Sequence, residues 1–264
     1  MDKPLSAEFM QIEVAGTPII YTERHSATAL AMAEAVEKTA SIVARHWNLT
    51  VPKDCQVRML ENWEEFVDNT VPKRLRLLVK LAKPFWRRRA ERAFSLSGGW
   101  MLPWRGHPSV GVKPPELLIQ SETRLGEKLF MMVSDPLEKV KQLTCHEFTH
   151  ACTAHLRLPP WLNEGLAMRA VDHMVGHPTV LEKTQDIIRF DKFALNSQSY
   201  RRIKPGDHDA IIQLYATGYW VTRKLEKENP AVLIDLLKHK RSIRKVSNTV
   251  KAALKLSHES EDSS

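Results

Sequence analysis

The chain has 264 residues, 43% hydrophobic and 27% charged, enough to bury the core of one large domain or two lobes and too apolar for wholesale disorder. Its net charge of +8 permits contact with nucleic acid, anionic lipid or acidic proteins without selecting among them. No apolar run approaches bilayer length, the opening MDKPLSAEFM has neither leader nor transit-peptide character, and three cysteines (Cys55, Cys145, Cys152) make no disulfide framework, so a cytoplasmic setting is expected.

In chain order, Val14 to Tyr21 reads as a first strand, with Ile19 and Ile20 before Tyr21. Ser26 to Trp47 is Ala-rich with helical periodicity, and Ser26 is placed to cap it. Gln56 to Leu60 alternates as a short strand, so the opening strand, helix, strand predicts an α+β lobe.

Residues 72–94 hold nine Lys and Arg against a single acid, Glu91. Lys73, Arg76, Lys80, Lys83 and Arg87 recur at spacings of three and four and predict one cationic helix face. Leu75, Leu78, Val79, Ala82 and Trp86 form the other face, and Pro84 is expected to kink the helix near Phe85. Such a segment suits an anionic membrane surface or an acidic partner, or a flap over a cleft. It equally suits a helix packed on its own protein with a solvated outer face. No aromatic single-strand platform and no recognition-helix motif accompanies it, which argues against nucleic acid.

Residues 95–115 are rich in Gly, Pro and Trp and read as strand fragments and loop, with short strands expected at Leu117 to Gln120 and Leu129 to Val133. Ser134-Asp135-Pro136 is a helix start, and that helix should run to about His155. Pro159-Pro160 breaks it and opens another, Trp161 to Val175, which Gly176-His177-Pro178 ends. Further helices are expected at 179–190, 207–228 and 230–255. The predicted organisation is an α+β lobe over 1–158, with 72–94 as a basic amphipathic insertion, an all-α lobe over 159–256, and a disordered tail at 257–264.

Chemistry concentrates in LTCHEFTHAC, residues 143–152. On a helix His146 and His150 stand one turn apart on one face, so both imidazoles can reach one ion. Glu147 is displaced around the helix, where it can reach a water on that ion and take its proton. Chance alone gives such a motif in about one chain in thirty of this composition, so the five residues also fit two ordinary histidines on a helix face. A third ligand is required. A three-histidine zinc protease would want Gly and His where Thr153 and Leu156 stand, and His155 falls off the binding face. In PPWLNEGLA, residues 159–167, Glu164 would lie one turn into the next helix and complete a four-coordinate catalytic site with water.

HEFTH followed by WLNEG resembles the glutamate-zincin metallopeptidases (gluzincins). The WLNEG words are most similar to the aminopeptidase N family, and the gap of 13 residues between His150 and Glu164 is closer to the compact bacterial peptidase MA-like domains. The resemblance spans residues 143–225. It implies a zincin-like fold with one zinc ion per chain on His146, His150 and Glu164, Glu147 as general base, and a peptide or protein substrate. Tyr215-Ala-Thr-Gly218 resembles the Tyr-x-x-Gly segment whose tyrosine stabilises the oxyanion in that family, which implies a catalytic Tyr215 with Tyr219 as the fallback. Tyr215 also falls in line with Ile211, Leu214, Gly218 and Leu225, a stripe that suits a core tyrosine. No Gly-x-Met-Glu-Asn strand precedes the motif, so an aminopeptidase is not implied. Met168 replaces the acidic residue that in several relatives supports a metal histidine, leaving Asp172 as the candidate for that role. Cys145 and Cys152 flank the motif off its ligand face and read as buried apolar residues. The competing reading is a non-catalytic zincin scaffold that meets an anionic membrane or nucleic acid through the basic helix 73–92.

Overall fold

Phe9–Val14 (β1) and Thr17–Thr22 (β2) form a hairpin across the two-residue turn Ala15-Gly16, where both residues hold positive φ, 51° and 71°. That geometry matches the right-handed twist of the flanking strands. The expected single strand from Val14 to Tyr21 therefore spans a turn, hidden because alanine is not a usual residue for positive φ. The computed structural model describes residues 9–104, 106–120, 124–187 and 207–254. The expected tail at 257–264 lies outside the described residues.

A 3₁₀ turn at Glu23–His25 leads into α1, Ser26–Trp47. Ser26 does not cap it: its hydroxyl donates to the Glu23 carbonyl within that turn. Gln56–Met59 (β3), Gly99–Trp104 (β4) and His107–Val112 (β5) complete a five-stranded sheet in the order β1-β2-β3-β5-β4. The three inner strands run parallel and each outer strand is antiparallel to its neighbour, so β4 is an edge strand. Its Pro103 is tolerated because an edge leaves one row of donors outside the ladder. The fold is α+β, with this sheet and ten α-helices among the described residues. No helix among them is long and apolar enough to cross a membrane.

The chain divides into two units. The first comprises Met1–Ser41, Thr50–Thr123 and Val133–Cys152; the second comprises Ile42–Leu49, Arg124–Met132 and Thr153–Ser264.

In the first unit, α2 (Trp63–Thr70) is capped by Asn62 and sets Phe66 against Gly111 of β5. A continuous helix, α3 (Arg76–Leu96), runs through Pro84. Proline removes one intrahelical bond, and here Pro84 and Lys80 are both exposed, so water can serve the freed carbonyl. Trp86, Ala90 and Phe94 of α3 pack with Trp63, Val67, Trp100, Leu102 and Trp104. Leu78 and Ala82, expected on the packed face, are exposed instead.

The opposite face of the sheet receives α6, Pro136–Thr153, which Asp135 caps through the Leu137 amide. Side chains alternate between the two faces along a strand. Trp100 and Gly111, paired in register, turn toward α2 and α3, whereas Gly99 and Val112 turn toward α6. A Lys141–Glu34 ion pair joins α6 to α1. Pro115–Gln120 is a short helix, α4, where a strand was expected; Pro115 at its first position suits a helix start.

Among the described residues, the regular structure of the second unit is helical apart from a single bridge. Arg124–Leu129 is α5, and of the strand expected from Leu129 to Val133 only the Phe130–Val180 bridge forms. Pro160–Val175 (α7) ends on Gly176 at φ 83°, and Asp207 caps His208–Glu228 (α8). A 3₁₀ turn, Glu182–Ile187, stands within the helix expected at 179–190, whose last three residues lie outside the described set. The helix expected at 230–255 is two, Pro230–Lys238 (α9) and Ile243–Ala253 (α10), because Ser242 caps a fresh start.

Ala15 carries the positive φ that Asn adopts most readily among residues with a side chain. Ala15→Asn would give the turn its preferred Asn-Gly sequence and raise unfolding free energy by about 0.5–1 kcal/mol, read from urea denaturation.

Candidate metal centre

Within the first unit, α6 sets the Nε2 atoms of His146 and His150 3.1 Å apart, their rings perpendicular with centroids 4.7 Å apart. Two imidazole nitrogens on one tetrahedral zinc ion, each at about 2.0–2.1 Å, would stand roughly 3.3 Å apart. The pair fits a shared ion. His150 is buried and His146 partly so, a setting in which protein rather than bulk water holds the rings.

The same helix lies close on β4. A Cβ added to Gly99 would stand 2.7 Å from Cγ of Glu147, and one added to Gly98 would stand 2.6 Å from Cδ1 of Leu143. Only glycines let the strand backbone approach this helix, and the result seats Glu147 beside the edge strand. Cys145 and Cys152 are buried free thiols, as expected of residues off the ligand face. Burial pushes Cys145 up to about 12 and Cys152 also upward, so neither offers a ready thiolate. His155 is exposed in the 3₁₀ turn Ala154–Leu156.

In the second unit, Glu164 is buried one turn into α7, with 4% of its surface exposed. Thr153, the last residue of α6, donates through Oγ1 to Oδ1 of the neighbouring Asn163 at 2.7 Å. Next to Glu164, α7 crosses α8 at close range. A Cβ at Gly165 would lie 2.2 Å from the Gly218 carbonyl oxygen, and one at Gly218 would lie 2.2 Å from that of Trp161. The glycine of WLNEG and the glycine of YATG are therefore two halves of one contact between α7 and α8.

Tyr215 is partly buried on α8, one turn before Gly218, at the edge of a cluster formed by Leu129, Met168, Val180, Ala216 and Tyr219. Tyr219 is fully buried and donates to Oδ2 of Asp172 at 2.7 Å; burial, then that bond, pushes its phenol upward. It is a core residue, and the fallback role for it falls away. Asp172 also accepts from Arg169 and, through Oδ1, from the amide and hydroxyl of Thr179 at 2.8 Å each. Four donors use the four lone pairs of a carboxylate, so Asp172 is a clamp within its own unit and does not serve a metal histidine.

Sequence reading missed a second His/His/Glu group in this unit: His46, His173 and Glu226, whose ligand atoms lie within 4.8 Å of one another. No sequence spacing links them. His46 stacks on His173 with centroids 3.9 Å apart and planes 20° apart, so their in-plane lone pairs run side by side instead of converging. Glu226 accepts from His173 at 2.8 Å and Trp47 at 3.2 Å through Oε1, and from Arg169 at 2.8 Å through Oε2. Burial alone would raise its pKa, but bonds and charges from His173 and Arg169 outweigh that and hold it at about 2. This group is an ion-pair network that ties the end of α1 to α7 and α8.

No family model matches the chain, and a search of curated proteins finds no similar sequence.

Two stability tests follow from this packing. Gly218→Ala should lower unfolding free energy by about 3 kcal/mol, the upper end for overpacking because the obstacle is backbone. Gly126→Ala in α5, where an added Cβ meets nothing within 4 Å, should be neutral or slightly stabilising in the same denaturation experiment. Because folding lowers the Glu226 pKa from its ordinary 4.5, its contribution is present above pH 4.5 and fades as pH falls toward 2. Glu226→Gln should cost about 3 kcal/mol at pH 7, with the gap to the parent protein closing below pH 4.5 in denaturant titrations.

Proposed function

We propose that this protein is a zinc-dependent peptidase that holds one zinc ion on His146, His150 and Glu164. The observation that carries this reading is the pair of imidazole nitrogens 3.1 Å apart on α6, with Glu147 seated against the edge strand beside them. The burial of Glu164 on α7 and the resemblance of WLNEG to the glutamate zincins support it as the third ligand.

A bound zinc ion would acidify a water ligand and polarise a peptide carbonyl. The chain's own residues do the rest. Glu147 takes a proton from the attacking water and returns it to the leaving amine. A peptide laid along the outer edge of β4 would be held by main-chain hydrogen bonds, with its carbonyl carried toward α6. Tyr215 donates its phenolic hydrogen bond to the oxyanion of the tetrahedral intermediate, where preorganised donors contribute most. On this reading the fold is that of a glutamate zincin, with its active-site helix under the sheet edge and its third ligand on the following helix. The three free cysteines support a reducing, cytoplasmic setting.

Metal content and cleavage of a peptide mixture test this together. The intact protein should carry one zinc ion per chain, and Glu164→Ala should lose it while keeping its far-UV circular dichroism. Glu147→Gln and Gly99→Ala should keep the metal, with kcat/KM reduced by about 10²–10⁴-fold in the former. Tyr215→Phe should keep the metal and lose about 10²–10³-fold in kcat. An intact protein that binds no zinc removes the proposal.

A further inference from the structure

The outer side of α3 carries an apolar patch that no part of the described fold covers. Leu77, Leu78, Leu81 and Phe85 are 69, 63, 65 and 93% exposed. At helical spacing these four fall within an arc of about 100°, on the side opposite Val79, Trp86, Ala90 and Phe94, which pack inward. The helix is firmly seated on that inner side. Trp86 meets Trp63 edge to face at 5.5 Å, Lys83 pairs with Glu64 at 2.8 Å, and the Lys113 ammonium donates to the Phe94 carbonyl. The outward face is thus held in place, and its exposure is not the fraying of a loose end.

Charge around the patch is mostly positive, and the one acid of the segment, Glu91, is paired with Arg87. Lys73 and Arg74 precede it, Arg76 and Lys80 flank it, and Arg88, Arg89 and Arg92 follow it. None of these seven forms an ion pair among the described residues. Lys83 and Arg87, which the sequence pattern placed on the same cationic face, are tied to Glu64 and Glu91 instead. A nucleic-acid backbone would meet the cations but leave four large apolar side chains in water. An anionic bilayer takes both: aliphatic and aromatic side chains enter the boundary between headgroups and acyl chains, while Lys and Arg meet lipid phosphates and carboxylates.

We propose that α3 is a peripheral membrane-binding helix, lying on an anionic lipid surface with Leu77, Leu78, Leu81 and Phe85 immersed and these seven cations at headgroup level. The proposal is independent of the peptidase reading.

Co-sedimentation of the full chain with phosphatidylcholine vesicles, with and without about a third phosphatidylserine, tests it. Binding is expected only with the anionic lipid, falling at least about tenfold at raised salt or in Arg88→Ser/Arg92→Ser. Leu81→Ser/Phe85→Ser should also fall at least about tenfold, with unchanged circular dichroism because both positions are exposed. Failure to sediment with anionic vesicles overturns the proposal. Full binding by the Leu81→Ser/Phe85→Ser variant overturns the immersed patch and leaves a general polyanion site, which duplex DNA would then also occupy. A dimer in sedimentation velocity that Phe85→Ser dissolves, without vesicle binding, assigns the patch to a second copy of the chain and equally sinks it.

Discussion

The close approach of α6 to the backbone of β4 is the constraint on which the first unit depends. Helix and strand meet through Gly98 and Gly99, with Leu143 and Glu147 filling the space that side chains would occupy. Ordinary residues at those positions would hold the helix away by the width of a methyl group or more. With glycines, the side chain of Glu147 packs on the face of β4 at Gly99, and the two imidazoles lie on the same helix.

Much of this was readable in advance, for identifiable reasons. α1 begins and ends where its Ala-rich periodicity does, and α6 begins where Asp135-Pro136 predicts. The His146, Glu147, His150 triplet on one helix follows from spacing alone. Other features depend on information that spacing does not hold. The Ala15-Gly16 turn hides because alanine normally avoids positive φ. The short apolar run at Leu117 to Gln120 has too few residues to separate helix from strand. The network of His46, His173 and Glu226 joins segments far apart in sequence, and no local pattern could connect them.

The basic helix shows a subtler limit. Periodicity identified apolar positions on α3, but the helix has apolar residues on two sides, and a wheel cannot say which side meets the protein. Trp63, Trp100 and Trp104 decide it by packing against Trp86, Ala90 and Phe94, with Trp63–Trp86 and Trp100–Phe94 meeting edge to face. The outer apolar side then faces outward by default, and of the five cations that read as one face Lys83 and Arg87 are anchored by acids, whereas Lys73, Arg76 and Lys80 form no ion pair among the described residues.

The crossing of α7 and α8 has a consequence for precision. Because Gly165 and Gly218 meet with backbone against backbone, sliding either helix by one residue would bring Glu164, Leu166, Thr217 or Tyr219 into a gap with no room for a side chain. The joint is keyed: it admits one axial register and rejects its neighbours, which are only about 1.5 Å away. Glu164 and Tyr215 are thereby indexed to each other along the helix axes more finely than packing of large, adaptable side chains could achieve.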